Sequence, residues 1–319
     1  MAPPAARRAR PSSPIAAIVG PTGSGKTGLA LALAGRVPIE ILVADSRQVI
    51  RGMEIGTARP DAAARAAVIH HLLDLADPGE PFTVADWVAA ARGLMPGIAE
   101  RGRLPLLVGG SGLYVDALLD GYAFDSPPEP AQRARLAQEL EAVGVGPLAN
   151  RLKAHDPPAA RRVDLRNPRR VIRALERSEA AGGGAAAPPA TQPWPGRVAR
   201  VGLSRPREVL YRRIDERAAW LFANGLLDEV RTLLEAGHDP RSAPLTGHGY
   251  GEAARHLAGE WSLAEAVAVT ARRTRQYAKR QSTWFRRDRR IVWLSAGDLP
   301  SDDPGLVDEA DRILRALLA

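Results

Sequence analysis

Short, mostly apolar runs separated by polar turns dominate the first third of the chain. Residues 15–20, 39–45 and 104–108 have the length and composition of buried strands, and each is followed by glycine or polar residues. Residues 28–34 and 83–95 are predicted helices, the second opening with a T-x-x-D capping pattern. Apolar strands that alternate with helices are typical of a parallel sheet covered on both faces. The pattern therefore predicts an α/β fold with such a sheet at its centre.

The pattern changes near residue 124. A proline-rich break at 124–130 leads into segments rich in Ala, Arg, Glu and Leu, which predict helices up to about residue 179. Residues 180–196 are of low complexity, and we expect a flexible loop there. This middle segment therefore predicts an all-α insertion rather than a continuation of the sheet.

The strand-like pattern returns after residue 196. Residues 197–203 predict another strand, and long helices are predicted near 206–236 and 262–285. The last of these opens with Ser262-x-x-Glu265, a capping box. We therefore expect a flexible tail at 1–14 and an α/β core formed by 15–123 and 197–319. The helical insertion between the two core segments is expected at 124–196.

Composition narrows the class of protein. The chain has 319 residues, of which 45% are hydrophobic and 25% are charged, as in globular proteins. No apolar stretch reaches the ~18 residues that a membrane-spanning helix needs, and we expect no membrane association. The absence of cysteine excludes disulfides, Cys-ligated zinc, iron–sulfur clusters and a thiol nucleophile. The net charge of +8 favours a polyanionic partner such as nucleic acid.

A phosphate-binding motif follows the first predicted strand. Residues 20–27 fit G-x-x-x-x-G-K-[ST] and lie between a strand and a helix, where the mechanism requires them. Backbone amides and the helix N-terminus would bind phosphate oxygens, Lys26 would contact the terminal phosphate, and Thr27 would reach Mg²⁺. The pattern predicts a P-loop NTPase-like core that binds a polyphosphate, either ATP or a diphosphate ester. The residues of the motif are Gly20, Pro21, Thr22, Gly23, Ser24, Gly25, Lys26 and Thr27.

Two further strand ends carry candidate chemistry. Asp45 closes the second predicted strand, at the sheet edge where α/β proteins bind ligands. From the residues alone it is a metal ligand, a general base or a helix cap. Ser111 lies in a GGSG segment after the third strand, where small residues permit close approach to a ligand. The alternative explanation of that segment is a tight strand-to-helix turn.

Arginine clusters suggest where a polyanion would bind. Five arginines in the insertion recur at helical spacing, which predicts one basic helix face or a solvated face with acidic neighbours. Basic residues interleaved with aromatics at 272–290 suit nucleic acid, although Trp284 and Phe285 also fit a protein core. Arg213 and Arg217 are four apart and would face either an anion or the neighbouring acids. The arginines of the insertion are Arg166, Arg169, Arg170, Arg173 and Arg177.

Taken together, the motifs resemble the bacterial tRNA dimethylallyltransferases. The resemblance covers about residues 15–295 in the expected order. It is carried by GPTGSGKT at 20–27, ADSRQVIRGMEIGTARP at 44–60, HHLLDLADPGEPFTVADW at 70–87, LLVGGSGLYVDALLDG at 106–121, NPRRVIRALE at 167–176 and TRQYAKRQSTWFRRD at 274–288.

The resemblance implies an activity. Members of this family transfer a dimethylallyl group from dimethylallyl diphosphate to N6 of the adenine immediately 3′ of the anticodon, in tRNAs that read codons beginning with U. It implies that Asp45 is the general base and that Ser111, which stands where Thr is usual, binds near the reacting oxygen. Lys26, Thr27, Arg213 and Arg217 would stabilise the departing diphosphate with Mg²⁺.

The resemblance also implies RNA contacts. The anticodon stem-loop would be the RNA partner. Independently of the resemblance, we take a cytoplasmic monomer without an obligate protein partner as the default expectation. This chain departs from the usual pattern at Ile50, where Tyr is common, and in 180–196 and 245–252. The implied tRNA-binding residues are Asp45, Ser46, Arg47, Gln48, Ser111, Arg133, Arg169, Arg170, Val171, Ile172, Arg173, Lys279, Arg280, Gln281, Trp284 and Arg286.

Other functions remain open from the sequence. A small-molecule P-loop kinase that uses ATP would explain the phosphate loop and Asp45, but not the basic clusters. A nucleic-acid-binding NTPase would need an acidic strand end with a hydrolytic Glu, which the chain lacks. Prenylation of free adenine nucleotides would leave the arginines of the insertion unexplained.

Overall fold

The computed structural model describes residues 13–122, 124, 129–180 and 191–318. Within these residues, six strands form one sheet in the order β3-β2-β4-β1-β5-β6, and every neighbouring pair is parallel. The predicted α/β class with a parallel sheet is confirmed. The strands are β1 Ile15–Val19, β2 Ile39–Ala44, β3 His70–His71, β4 Leu104–Gly109, β5 Val198–Ser204 and β6 Val292–Ser295.

Helices connect the strands and cover the sheet on both faces. A short π-helical turn, Ala117–Gly121, continues the fourth helix. The helices are α1 Lys26–Ala34, α2 Ala62–Ala67, α3 Val84–Glu100, α4 Gly112–Asp116, α5 Pro130–Val143, α6 Val145–His155, α7 Pro157–Arg162, α8 Pro168–Ala180, α9 Arg207–Ala223, α10 Leu226–Glu235, α11 Tyr250–Leu257, α12 Leu263–Phe285 and α13 Pro304–Leu318.

Alternating positions of the strands feed two hydrophobic layers. Ile41 and Val43 of β2 pack with Leu29 and Leu33 of α1 on one face, whereas Leu42 packs with Trp87 of α3 on the other. Both faces are therefore buried, and this explains the continuous apolar runs that predicted the strands.

Glu40 is the charged exception within β2. Its side chain is buried, accepts hydrogen bonds from Arg101 at 2.7 and 2.8 Å, and lies 2.7 Å from Nε2 of His71. The hydrogen bonds from Arg101 lower the pKa of Glu40 to about 2. The carboxylate is therefore charged and paired at the amino-terminal half of the strand, away from the ligand-binding edge.

The chain divides into two compact units. One runs up to Gly121 and resumes at Gln192, and the other extends from Tyr122 to Thr191. The second unit has its own core, in which α5, α6 and α8 bury apolar side chains against one another. The buried side chains at its centre are Leu136, Leu148, Leu152, Val171 and Leu175.

Several predicted element bounds are wrong. The helix expected at 206–236 is broken, because Gly225 adopts a left-handed φ of 97° and starts α10 separately from α9. The helix expected at 83–95 continues to Glu100, since Ile98 keeps its apolar face buried. Strands β3 and β6 were not predicted: β3 has only two residues, and β6 was missed although residues 291–294 form a short apolar run.

Two predictions fall partly or wholly outside the described residues. The flexible tail at 1–14 overlaps the described part of the chain only at residues 13 and 14, and most of the low-complexity loop lies at 181–190. Across the described ranges, no helix has both the length and the apolar composition needed to cross a membrane.

Candidate active site

The phosphate loop connects β1 to α1 at the carboxyl edge of the sheet. Gly20 has a φ of 145°, and a Cβ there would lie 2.5 Å from the carbonyl oxygen of Leu203. Gly25 has a φ of 101° and precedes the first residue of the helix, Lys26. Both positions require glycine, because an L side chain would be strained in these conformations. The backbone of the motif therefore has the conformation of an anion-binding loop, in which amide groups and a helix N-terminus face the ligand.

Two buried side chains hold the loop from outside. Gln281 of α12 accepts a hydrogen bond from the Thr22 amide at 2.8 Å and donates to the Gly110 carbonyl at 2.9 Å. Arg205, which follows β5, donates through Nε to the Ser24 carbonyl at 2.7 Å. The loop after β1 is thus tied to the loop after β4 and to the end of β5. Gln281 is only 6% exposed, so its amide holds these loops, and its contact with tRNA stays a prediction.

Arg213, Arg217 and Lys26 bring positive charge to the loop. Arg213 of α9 donates through Nε to the Gly23 carbonyl at 3.1 Å, and Lys26 donates to the Pro21 carbonyl at 2.7 Å. Burial lowers the pKa of Lys26 to about 8, the nearby Asp45 carboxylate opposes that shift, and Arg217 adds to it. Burial also lowers the pKa of Arg217, again opposed by Asp45. These desolvated cations suit an anionic ligand that neutralises them.

Asp45 and Ser111 lie where their strands end. The Asp45 carboxylate accepts a hydrogen bond from the Arg47 amide at 2.9 Å, and the Ser111 hydroxyl accepts one from the Ser46 amide at 3.1 Å. The hydrogen bond from the Arg47 amide uses only one oxygen of Asp45. Asp45 also lines the neighbouring cavity. The structure therefore brings together the two strand ends that the sequence singled out.

A cavity of about 540 Å³ joins these groups. Its charged part is formed by the phosphate loop, Asp45, Arg213 and Arg217, with the largely exposed Trp220 also in its lining. Its other part is lined by aliphatic side chains of the sheet, including Ile41, Val43 and Val108. One site therefore offers an anion cradle, a carboxylate and an apolar surface.

A second, smaller cavity of about 210 Å³ shares Asp45, Arg217 and Tyr277 with the first. The rings of His248 and Tyr277 both line it and pack at a tilt, with centroids 5.2 Å apart and planes 34° apart. Burial, reinforced by Arg273, Arg280 and Arg47, lowers the pKa of His248 to about 4. Neutral aromatic rings beside a carboxylate are suited to stacking on a planar base.

Sequence reasoning missed several residues of this site. Arg205, Tyr277, His248 and Trp220 hold or line it, but none belongs to the P-loop or to the strand ends after β2 and β4. Arg205 was detectable, because it follows β5 at the same edge of the sheet. The others come from helices and a loop that only the tertiary fold brings to the cavity.

The other predicted tRNA-binding residues of the α/β core differ in their burial and in their hydrogen-bond partners. Arg47 donates to the carbonyls of Ala243 and Pro244, and Gln48 donates to the Thr57 carbonyl at 3.1 Å while lining the cavity. Trp284 is half-buried and donates to Asp116 at 2.7 Å, and Phe285 is a core residue. Exposed basic residues remain along α12 and just after it: Lys279, Arg280 and Arg286.

The basic face predicted in the insertion is only partly present. Arg166 precedes α8 and pairs with Asp164 in a turn, so its assignment to the helix face is wrong. Val171 is fully buried in the core of the insertion, which leaves its side chain no surface for a direct RNA contact. Arg173 and Arg133 pair with the buried Glu176, whereas Arg169 and Arg170 are exposed. Ile172 is half-buried against the same core.

The fold and the site define a P-loop α/β protein in which a glycine-rich loop and buried cations lie beside a carboxylate. Comparison with known families identifies the family within this class. A family model described as IPP transferase matches residues 48–288 of the chain. The chain therefore belongs to the IPP transferase family.

Individual relatives agree over nearly the whole length. The tRNA dimethylallyltransferase of Syntrophobacter fumaroxidans is 44% identical over 300 residues, covering 91% of this chain and 86% of the relative. That of Roseiflexus castenholzii is 45% identical over 303 residues, covering 95% and 97%. The crystal structure of the full-length tRNA isopentenylpyrophosphate transferase from Bacillus halodurans superposes with a TM-score of 0.71 at 38% identity, covering 96% of this chain and 97% of that one.

Proposed function

We propose that this protein transfers a dimethylallyl group from dimethylallyl diphosphate to N6 of an adenine in tRNA, releasing diphosphate. The acceptor is the adenine immediately 3′ of the anticodon, in tRNAs that read codons beginning with U. One observation carries the proposal: a single cavity contains the P-loop cations, an apolar surface and the Asp45 carboxylate. The names of the relatives, tRNA dimethylallyltransferases, support the same activity.

The diphosphate of the donor binds the loop between β1 and α1. The amides of the loop and the N-terminus of α1 point toward it, and Lys26 and Arg217 supply charge at the cavity wall. Arg213, held by the Gly23 carbonyl, adds a third cation. Because the C–O bond of an allylic diphosphate breaks with its electron pair on oxygen, charges fixed at that oxygen lower the barrier.

Thr27 fits a magnesium site of the kind that depends on substrate phosphates. Its side chain is exposed on the first turn of α1 and lines the cavity. Among the residues that the structure describes, no group of three acidic or histidine side chains could hold a metal alone. Mg²⁺ typically binds through one or two protein oxygens together with phosphates and water. When bound, it would add positive charge beside the departing diphosphate.

The acceptor adenine lies on the side of the smaller cavity. Its N6 attacks C1 of the donor, the C1–O bond breaks toward diphosphate, and Asp45 takes the proton that N6 loses. Asp45 lines both cavities and so reaches a base in one and a donor in the other. The base contacts the tilted rings of His248 and Tyr277, which line the smaller cavity. A base inside this site has left the stack of the anticodon loop.

The RNA outside the pocket is held by basic side chains. Arg169, Arg170 and Arg173, together with Arg133, contact phosphates from the helical insertion. Lys279, Arg280 and Arg286 do so from the end of α12. Such contacts position the RNA, and the pocket selects the base. The protein works as a monomer in the cytoplasm.

A two-donor assay tests the proposal. The protein is mixed with Mg²⁺ and an unmodified anticodon stem-loop, and receives either labelled dimethylallyl diphosphate or ATP labelled at the γ-phosphate. We expect label in the RNA from the isoprenoid donor only. Turnover of ATP without prenylation of RNA would refute the transferase and favour a P-loop kinase.

A further inference from the structure

Residues 54–58, which we call the wall loop, border both cavities. Thr57 lines both of them, Gly56 lines the smaller one, and Ala58 lines the larger one. The loop is part of neither a helix nor a strand, so no regular secondary structure holds it in place. The shape of both cavities therefore depends on the contacts that fix this loop.

A single carboxylate binds three successive amides of the wall loop. Glu229 lies in the first turn of α10, and its Oε2 accepts hydrogen bonds from the Glu54 amide at 2.9 Å and the Ile55 amide at 2.7 Å. Its Oε1 accepts one from the Gly56 amide at 3.2 Å. Hydrogen bonds to a charged group are roughly twice as strong as those between neutral groups. Glu229 therefore fixes the backbone of the loop at three consecutive residues.

Tyr250, the first residue of α11, completes this contact. Its hydroxyl donates to Oε1 of Glu229, and the residue is only 2% exposed. Burial, and after it the Glu229 carboxylate, raises the pKa of Tyr250, so the hydroxyl keeps its proton for this hydrogen bond. A Cβ on Gly56 would collide with the ring, because the wall loop packs directly on it. We call Glu229 and Tyr250 the loop anchor.

The wall loop in turn holds a side chain of the active site. Its Thr57 and Ala58 carbonyls accept hydrogen bonds from Nε2 of Gln48, at 3.1 and 3.4 Å. Gln48 lies three residues after Asp45, and both line the larger cavity. Ala58 has a φ of 53°, a conformation that persists in a residue other than glycine only where the surroundings impose it. The loop therefore connects the anchor to a polar group in the cavity of the proposed base.

We propose that Glu229 and Tyr250 are positioning residues of the transferase, which hold the wall loop and Gln48 in place while the donor and the acceptor bind. The inference rests on the proposed function. Glu229 lines neither cavity, so it acts through the loop. Tyr250 borders the smaller cavity, but Glu229 engages its hydroxyl. Transfer requires the alignment of N6, C1 and the Asp45 carboxylate, and a displacement of ~1 Å can lower a rate by ~10²-fold.

The alternative is that the anchor only joins α10 to α11. Of the four hydrogen bonds that Glu229 accepts, three come from the wall loop and one comes from α11, which favours the positioning role. The two roles predict different results. Loss of a purely structural contact lowers stability but leaves the rate of the folded molecules unchanged, whereas loss of positioning lowers that rate and leaves substrate binding unchanged.

Two variants of nearly the same shape test the anchor. Glu229→Gln places an NH₂ group against backbone amides, and Tyr250→Phe removes only the hydroxyl. Glu235→Gln is the matched control, because Glu235 is exposed on the same helix. Each protein is assayed for single-turnover transfer at saturating donor and stem-loop, for pyrophosphate affinity by calorimetry with Mg²⁺, and for hydrogen exchange at the amides of residues 54–56.

We expect a loss of rate without a loss of binding. Transfer by Glu229→Gln should fall by roughly 10- to 100-fold because alignment is lost. Tyr250→Phe should lose roughly two- to tenfold, as for one hydrogen bond. Pyrophosphate affinity should be unchanged, since the phosphate loop is untouched. The amides of residues 54–56 should exchange faster in both variants, and Glu235→Gln should match the unaltered protein in every assay.

The opposite results would overturn the inference. An unchanged rate in Glu229→Gln would make the anchor purely structural, and equal losses of rate and pyrophosphate affinity would mean that the whole site collapses. If Glu229→Gln does not fold, an unchanged rate in Tyr250→Phe refutes the positioning role. Unchanged exchange at residues 54–56 refutes the anchoring itself. Absence of transfer by the unaltered protein refutes the proposed function, and the role of the anchor in transfer with it.

Discussion

The carboxyl edge of the sheet and the helical insertion use arginine in different ways. At the sheet edge, Arg205 and Arg213 donate to backbone carbonyls of the phosphate loop, so their positions are fixed by the fold. In the insertion, Arg169 and Arg170 are exposed, and Arg173 pairs with an acidic neighbour. Fixed, desolvated cations suit a small anion in one geometry, whereas exposed cations suit a long polyanion in several. We therefore expect chemistry at the edge and RNA affinity from the insertion.

Replacing Asp45 should have the largest effect, and it should lower the rate of transfer without lowering the affinity for RNA. Asp45→Asn keeps the shape of the side chain but removes the proton acceptor, so single-turnover transfer should fall by roughly 10²–10⁴. The affinity for the stem-loop, measured by filter binding, should stay close to that of the unaltered protein. Asp228→Asn, on the surface of α10, is the control and should retain full activity. Loss of RNA affinity equal to the loss of rate would make Asp45 a recognition residue.

Arg217 should have the next largest effect, on donor binding. Arg217→Ala removes a desolvated cation from the cavity, and hydrogen bonds to charged groups contribute about 1.5–3 kcal/mol. Pyrophosphate should therefore bind roughly ten- to a hundredfold more weakly in calorimetry. Arg212→Ala is matched, since Arg212 lies on the same helix but pairs with Asp298 at the surface. Equal losses in both variants would mean that general charge, not position, binds the diphosphate.

The helical insertion should control the salt dependence of RNA binding. Replacing Arg169, Arg170 and Arg173 by Ala removes up to three phosphate contacts, so the slope of log affinity against log salt should fall by about two. Transfer at saturating RNA should be nearly unchanged. The double variant Arg312→Ala with Arg315→Ala is the control. Both arginines lie on α13, outside the insertion, and each pairs with an acidic residue of the same helix. An unchanged slope would remove this surface from the RNA interface.

The smallest effect concerns pH. The pKa of Lys26 is lowered to about 8, so its ammonium is fully present well below pH 8 and is lost as the pH rises through that value. One unit above a pKa, the protonated fraction has fallen about tenfold, and pyrophosphate affinity should fall with it. Lys26→Arg stays protonated throughout, so its affinity should decline less between pH 7 and 9. Parallel pH profiles for the two proteins would exclude Lys26 as the titrating group.

Much of the fold and the centre of the site were predictable from the sequence. Strands buried on both faces leave continuous apolar runs, and the phosphate loop requires glycine at Gly20 and Gly25 for backbone reasons. Asp45 and Ser111 followed from one rule, that ligands bind where parallel strands end. Each of these features depends on residues that are close together in the sequence, so the sequence pattern was enough to predict it.

The rest depends on tertiary contacts. Gln281 holds the phosphate loop from a helix 259 residues away in sequence, and nothing in its neighbourhood distinguishes it from an RNA-binding residue. The helical spacing of the insertion arginines did not reveal that Arg166 lies in a turn, or that the buried Glu176 pairs with Arg173 and with Arg133 of α5. The break between α9 and α10 depends on the left-handed conformation of one glycine, Gly225.

One measurement addresses the transfer to N6 directly. Two anticodon stem-loops are compared under single-turnover conditions with labelled dimethylallyl diphosphate: one carries adenine 3′ of the anticodon, and the other carries purine, which lacks the amino group. We predict that only the adenine-containing RNA acquires label and that both RNAs bind equally well. Label in the purine-containing RNA, or in neither, would contradict a transfer in which Asp45 takes the proton from N6.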